Sequence, residues 1–190
     1  GGISIIDNYF DEKYCKKAIN EINTALVEYK NKVQSNLKEG TSGDQRLFKI
    51  ENASNSAKKF QEDRFINSIL NAASNYKIES HFILGGKLMY NENETKNSGG
   101  GWHRDSDLEQ FKAMVYLNDV EESNGPFLFL QNSDLFDLER RPYDQKLSIL
   151  SRIYILLGKL KKNPPRYTDL AVQEYLKKTN TKPNEVVGKA

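Results

Sequence analysis

The sequence predicts an α+β fold with a mainly β core, a sandwich or barrel, flanked by helices on its N-terminal side. Three observations carry this. Apolar residues recur at helical spacing up to about residue 73, and from residue 78 they alternate as in a strand. The strand signals cluster in the middle of the chain, after the helices. No segment from residue 78 onward reads as a crossover between parallel strands, and no glycine pattern follows a strand and opens a helix, so nucleotide-loop readings have no support.

The elements follow in order. Residues 11–37 read as one amphipathic helix, because Cys15, Ala18, Ile19, Ile22, Ala25, Leu26, Tyr29 and Val33 share a face while Lys16, Lys17, Glu21 and Glu28 lie opposite. Gly40-Thr41-Ser42-Gly43 stops it. Residues 46–50 are a short strand candidate. Residues 56–73 read as a second helix with Phe60, Phe65, Ile66, Ile69 and Leu70 as its stripe. A strand begins at Ile78 and runs through Gly85-Gly86 to Tyr90, bent by the glycines. Residues 91–101 form a polar, glycine-rich loop. Residues 111–117 are a short buried strand, and Asn124-Gly125 is a tight turn between it and a strand at 126–130. Residues 135–178 are charged and helical, interrupted by Asn163-Pro164-Pro165, and a further strand starts at Glu185.

The chain has 190 residues, which favours one domain. It divides into flanking helices (1–75), core strands (76–131), a helical insertion (132–183) and the start of a late core strand (184–190). With 28 basic and 26 acidic residues the net charge is +2, without the basic excess of a nucleic-acid binder. The longest apolar runs, 127–130 and 153–157, are far too short to span a bilayer. A single cysteine, Cys15, excludes an intrachain disulfide framework and a multi-cysteine zinc site. It suits a reducing, cytoplasmic compartment, and on the apolar stripe it reads as a small buried hydrophobe.

Chemistry concentrates at Trp102-His103-Arg104-Asp105. His and Asp two apart on an extended chain point to the same side, so His103 and Asp105 can offer an imidazole and a carboxylate to one metal ion. That mixed donor set suits Fe(II), Mn or Zn. Alone, the pair is more simply a surface His beside an Asp.

Its surroundings add to this. The segment GGGWHRDSDLEQFKAMVYLNDVEESNGPFLF at 99–129 resembles the phytanoyl-CoA dioxygenase family of Fe(II)- and 2-oxoglutarate-dependent oxygenases. Trp102-His103-Arg104-Asp105 looks like the family's W-H-x-D metal motif, residues 111–120 like its next core strand, and Asn124-Gly125-Pro126-Phe127 like its N-G-P turn and following strand. Asp44-Gln45-Arg46-Leu47-Phe48 and Asn163-Pro164-Pro165-Arg166-Tyr167 resemble stretches of small bacterial-type members.

The resemblance implies a double-stranded β-helix, a jelly-roll or cupin-like barrel, with flanking N-terminal helices and a helical insertion. It implies His103 and Asp105 as metal ligands, 2-oxoglutarate as cosubstrate and dioxygen as oxidant, with hydroxylation of a small-molecule, lipid or sugar-linked substrate. The carboxylate at 105 points to a hydroxylase rather than a related halogenase. Trp102 walls the cavity or packs in the core. Tyr116, Met89 and Lys49 (or Arg46) fall near cosubstrate-contacting positions, Met89 being otherwise plain core.

The chain departs from the family at its other end. The family's distal His follows a late G-D strand, with an Arg beyond it that grips 2-oxoglutarate. This sequence has only His81 and His103, and Val186-Val187-Gly188-Lys189-Ala190 resembles the lead-in to that strand. His81 does not match the distal position and reads as a structural or surface residue. The expectation is a fragment of a longer enzyme; the alternatives are a partner chain that completes the sheet, or a catalytically inactive jelly-roll binding module. A zinc hydrolase would need ligands beyond His103 and Asp105. Ser106 and Asp107 read as cavity mouth or polar loop. Arg140, Arg141, Arg152 and Arg166 are not at the anchoring position, and the lysines of 159–162 read as a helix end.

Overall fold

A computed structural model describes residues 3–35, 43–73, 81–89, 102–103, 111–131, 141–156 and 167–188. The chain forms two compact units whose segments interleave along the sequence. One comprises residues 6–99, 110–126 and 187–190; the other comprises 1–5, 100–109 and 127–186.

In the first of these units, helix α1 (Glu12–Glu28) starts where Asp11 accepts a hydrogen bond from the Tyr14 amide at 2.6 Å. It buries Cys15, Ala18, Ala25 and Leu26, the face that the spacing predicts. It ends well before residue 37. A 3-10 turn at Lys30–Lys32 follows, and then β1 (Gln34–Ser35) takes the backbone into a sheet. β-branched Val33 gives little helical drive at that point, and its side chain instead packs on the core.

Strand β2 (Gly43–Phe48) lies between β1 and β3 (Leu84–Met89), and both pairings are antiparallel. Gly43 stands opposite Met89 and Phe48 opposite Leu84. The predicted strand at 46–50 therefore sits three residues earlier in the chain. Lys49 leaves the strand in a left-handed conformation (φ 59°, ψ 42°) and opens a 3-10 turn at Ile50–Asn52. That turn drops Ile50 into the centre of the unit, where it is fully buried with Ala25, Leu26, Leu47 and Ala57. Gly85 faces it, and a Cβ there would collide with Ile50 Cδ1. The bend-forming glycine thus serves close packing.

The single helix predicted for 56–73 is two helices, α2 (Asn55–Gln61) and α3 (Arg64–Ala73). The break is built by Asp63, whose carboxylate accepts from the Ile66 amide at 3.0 Å and from the Tyr9 hydroxyl at 2.7 Å. An Asp before an apolar run is a helix-start signal, and here it outweighs the continuing stripe. Residues 111–119 correct another expectation. They are not a strand, and Phe111 and Met114 are exposed. A strand persists only where a neighbour satisfies its backbone groups, and among the described residues the one ladder contact of this stretch is Val120 with Gly188.

In the other unit, β4 (Phe127–Phe129) pairs antiparallel with β5 (Asn184–Val186), Leu128 standing opposite Glu185. The strand expected from Glu185 is present, but the partner of β4 comes from near the end of the chain and not from a hairpin with 111–117. Asn124-Gly125 is not a two-residue hairpin turn. Glu121 and Asn124 cap a 3-10 turn reciprocally, and Gly125 ends it at φ 71°, a conformation glycine adopts without strain. The helical stretch appears as α4 (Arg141–Leu156) and α5 (Asp169–Thr179), the latter capped by Thr168 and closed by left-handed Asn180.

Candidate functional site

His103 and Trp102 lie together in an irregular segment, His103 exposed and Trp102 half-buried. The backbone carbonyl of Trp102 accepts a hydrogen bond from the Tyr167 amide at 2.9 Å. Asp105, with Arg104, Ser106 and Asp107, lies outside the described residues, as do Arg140 and Arg166 and the lysines of 159–162. Arg141 and Arg152 lie in α4.

Tyr116, Lys49 and Met89 belong to the other unit. Tyr116 is half-buried in the irregular 111–119 stretch. Lys49 is exposed beyond the end of β2. Met89 is 45% exposed at the far end of β3, so it is not core. The β2–β3 register places Lys49 and Met89 at opposite ends of the ladder. Lys49 lies six residues along the chain from Gly43, the partner of Met89, about 20 Å at roughly 3.4 Å each, so the structure does not bring these two together around one small ligand. Arg46, the alternative to Lys49, donates through Nε to the buried carboxylate of Asp44. His81 is exposed and bonded to the Gln61 carbonyl at 3.1 Å, the surface role the sequence assigns it.

Among the described residues, no group of three or more His, Cys, Asp or Glu side chains could hold a metal ion. Of the W-H-x-D pair, His103 supplies one solvent-accessible imidazole, which suits a ligand that must meet a metal from solution. No helix among the described residues is long and apolar enough to cross a membrane.

The fold shifts several ionisations where α1 meets α2 and α3. Glu21 of α1 accepts from the Ser54 hydroxyl at 2.6 Å and the Ser56 amide at 2.8 Å, bolting the α2 N-terminus to α1. Burial pushes its carboxyl up, but these hydrogen bonds, with Lys17 nearby, outweigh burial and hold it below the ordinary carboxylate range. Asp63 is lowered by the Ile66 amide and the Tyr9 hydroxyl, against burial. Tyr9 is raised in turn, first by its hydrogen bond to Asp63 and then by burial. Burial pushes Tyr14 up to about 12, with Cys15, Glu21 and Asp63 adding negative charge nearby. Its hydroxyl donates to the Ser56 carbonyl at 2.8 Å. Burial also raises Cys15, which supports an inert core thiol rather than a nucleophile.

Sequence reasoning missed Glu21, Ser54 and Tyr167 as organising residues. The capping Ser54 carries a local signal, a serine opening a helix. The partners of Glu21 and Tyr167 are distant in sequence, and nothing local encodes them. The chain matches no protein-family model, no curated protein and no solved structure.

Proposed function

We propose that the chain is an Fe(II)- and 2-oxoglutarate-dependent dioxygenase of the phytanoyl-CoA dioxygenase type, hydroxylating a small-molecule, lipid or sugar-linked substrate. The observation that carries this reading is the ordered set of sequence motifs, W-H-x-D at 102–105, the apolar 111–120 stretch and N-G-P at 124–126. The 3-10 turn closed by Gly125 and the entry into β4 at Phe127 are compatible with the last of these. His103 and Asp105 would hold the iron. The bound iron would supply oxidative decarboxylation of 2-oxoglutarate coupled to substrate hydroxylation.

This chain's own residues would do the positioning. Trp102, half-buried beside His103, would limit water access to one side of the imidazole, and Tyr116, Lys49 and Met89 are the positions that the family resemblance marks for cosubstrate contact. The third ligand would come from residues outside this sequence, from a partner chain that completes the sheet or from solvent. A second reading is a catalytically inactive jelly-roll module that binds a small ligand or a partner.

The test is anaerobic titration with Fe(II) and 2-oxoglutarate, following the weak visible charge-transfer absorption of a bidentate keto acid on iron. The dioxygenase reading expects absorption in the wild-type chain and none in His103→Ala. Absorption that is absent, or that survives the substitution, would refute it.

A further inference from the structure

One residue ties the Trp102–His103 segment to the helices of the same unit. Tyr167 immediately precedes Thr168, the N-cap of α5. Its amide donates to the Trp102 carbonyl at 2.9 Å. Its hydroxyl donates to the carboxylate of Asp144, in the first turn of α4. Both side chains are half-buried, so water competes less for this bond than at an open surface. Tyr143 of α4 also reaches α5, through Glu174 at 3.4 Å, but that contact is exposed and long. Tyr167 is therefore a sheltered link, among the described residues, between α4, the start of α5 and the candidate ligand segment.

We propose that Tyr167 is a positioning residue, a clasp that holds the Trp102–His103 backbone against the α4–α5 helical pair. Its phenol fixes the side chain on Asp144, and the fixed side chain holds the amide on Trp102. The inference rests on reading His103 as a metal ligand, and its test is arranged to fail separately from that reading.

Trp102 is the only tryptophan in the chain, so its emission and acrylamide quenching report this segment alone. Amide hydrogen exchange at residue 167 reports the bond to Trp102. In the full chain, Tyr167→Phe and Asp144→Ala should each speed exchange at residue 167 by about fivefold, the effect of losing one ordinary hydrogen bond. Quenching of Trp102 should rise in both. Asp144→Asn keeps an acceptor and should restore wild-type behaviour, and Tyr143→Phe should change neither readout. Amides inside α5, such as Val172, which bonds the Thr168 carbonyl at 3.1 Å, should keep their wild-type rates. The clasp is refuted if residue 167 exchanges at the wild-type rate in Tyr167→Phe, or if the α5 amides accelerate equally, which would mark a general loss of stability. These readouts need no metal. A wild-type chain without the charge-transfer absorption would sink the dioxygenase reading and still leave the clasp decided.

Discussion

Gly85 and Ile50 should be coupled strongly enough to reverse the sign of one substitution. A Cβ added at Gly85 would strike Ile50 Cδ1, while Ile50 Cγ2 would lie 3.3 Å away and Ile50 Cβ 3.4 Å away. Gly85 is not at positive φ, so Gly85→Ala carries no backbone strain. Alanine should gain roughly 0.5–1 kcal/mol over glycine inside a strand. Overpacking a fully buried isoleucine should cost about 1–3 kcal/mol. The net expectation is a loss of about 0.5–2 kcal/mol for Gly85→Ala. Ile50→Val removes Cδ1, the one atom in outright collision, at about 0.5–1.5 kcal/mol. In that background Gly85→Ala should be close to neutral or mildly stabilising, because only snug contacts remain. The two changes should therefore couple by about 1–2 kcal/mol. Urea unfolding of the four proteins, followed by far-UV circular dichroism, measures this directly. Losses that add to within ~0.3 kcal/mol would refute the packing argument, since additivity belongs to residues that do not touch.

Glu21 and Asp63 are both lowered in the folded chain, so their stabilisation is present above the unfolded carboxylate pKa and is lost as pH falls through the folded values. Acid unfolding should weaken for Glu21→Gln, which should also lose roughly 1–2 kcal/mol at neutral pH by loosening the α2 N-terminus; an unchanged acid limb would contradict the bolt described above. Tyr14, at about 12, has a raised pKa, so its contribution is complete below the unfolded value near 10 and is lost as pH rises toward 12. Ultraviolet titration of phenolate absorbance should show a late component that Tyr14→Phe removes, and a titration finished by pH 11 in the wild type would count against it. The Asp63 bond from Tyr9 should add a cap-like effect: Tyr9→Phe is expected to lower the urea midpoint in the same assay, and no change would show the bond to be idle.

Local chemistry was legible in the sequence, and long-range pairing was not. The buried face of α1, with Cys15, Ala18, Ala25 and Leu26, follows from spacing alone because a helix satisfies its own backbone. The late strand at Glu185 is likewise visible as composition. The end of α1 was misplaced because β1 forms only when β2 is there to pair with it. Residues 111–117 have the composition of a buried strand, yet Phe111 and Met114 stay exposed, and β4 takes its partner from β5. Strand identity depends on a neighbour that the strand's own residues do not name. The same division runs through the candidate site. His103 and Asp105 are proposed from their spacing and surroundings, whereas the separation of Lys49 from Met89 emerges only from the β2–β3 register.

On the dioxygenase proposal, that register narrows the choice among Lys49, Arg46 and Met89. Gly43, Gln45 and Leu47 of β2 stand opposite Met89, Lys87 and Gly85 of β3. Side chains alternate faces along a strand, so Met89 shares its face with Gly85, the residue packed on Ile50. Arg46 stands opposite Gly86 on the other face, committed to Asp44. Met89 and Arg46 therefore address opposite sides of the sheet, and Met89 and Lys49 opposite ends of it. A keto acid a few ångströms long can use at most one of the three. Lys49 is exposed, set off the strand by its left-handed backbone and placed next to the residue that anchors the core. Its cationic head is the one among the three that can reach a carboxylate without first breaking an ion pair. Among these positions, Lys49 is where the dioxygenase proposal expects loss of charge to weaken 2-oxoglutarate binding most, read in the same anaerobic titration.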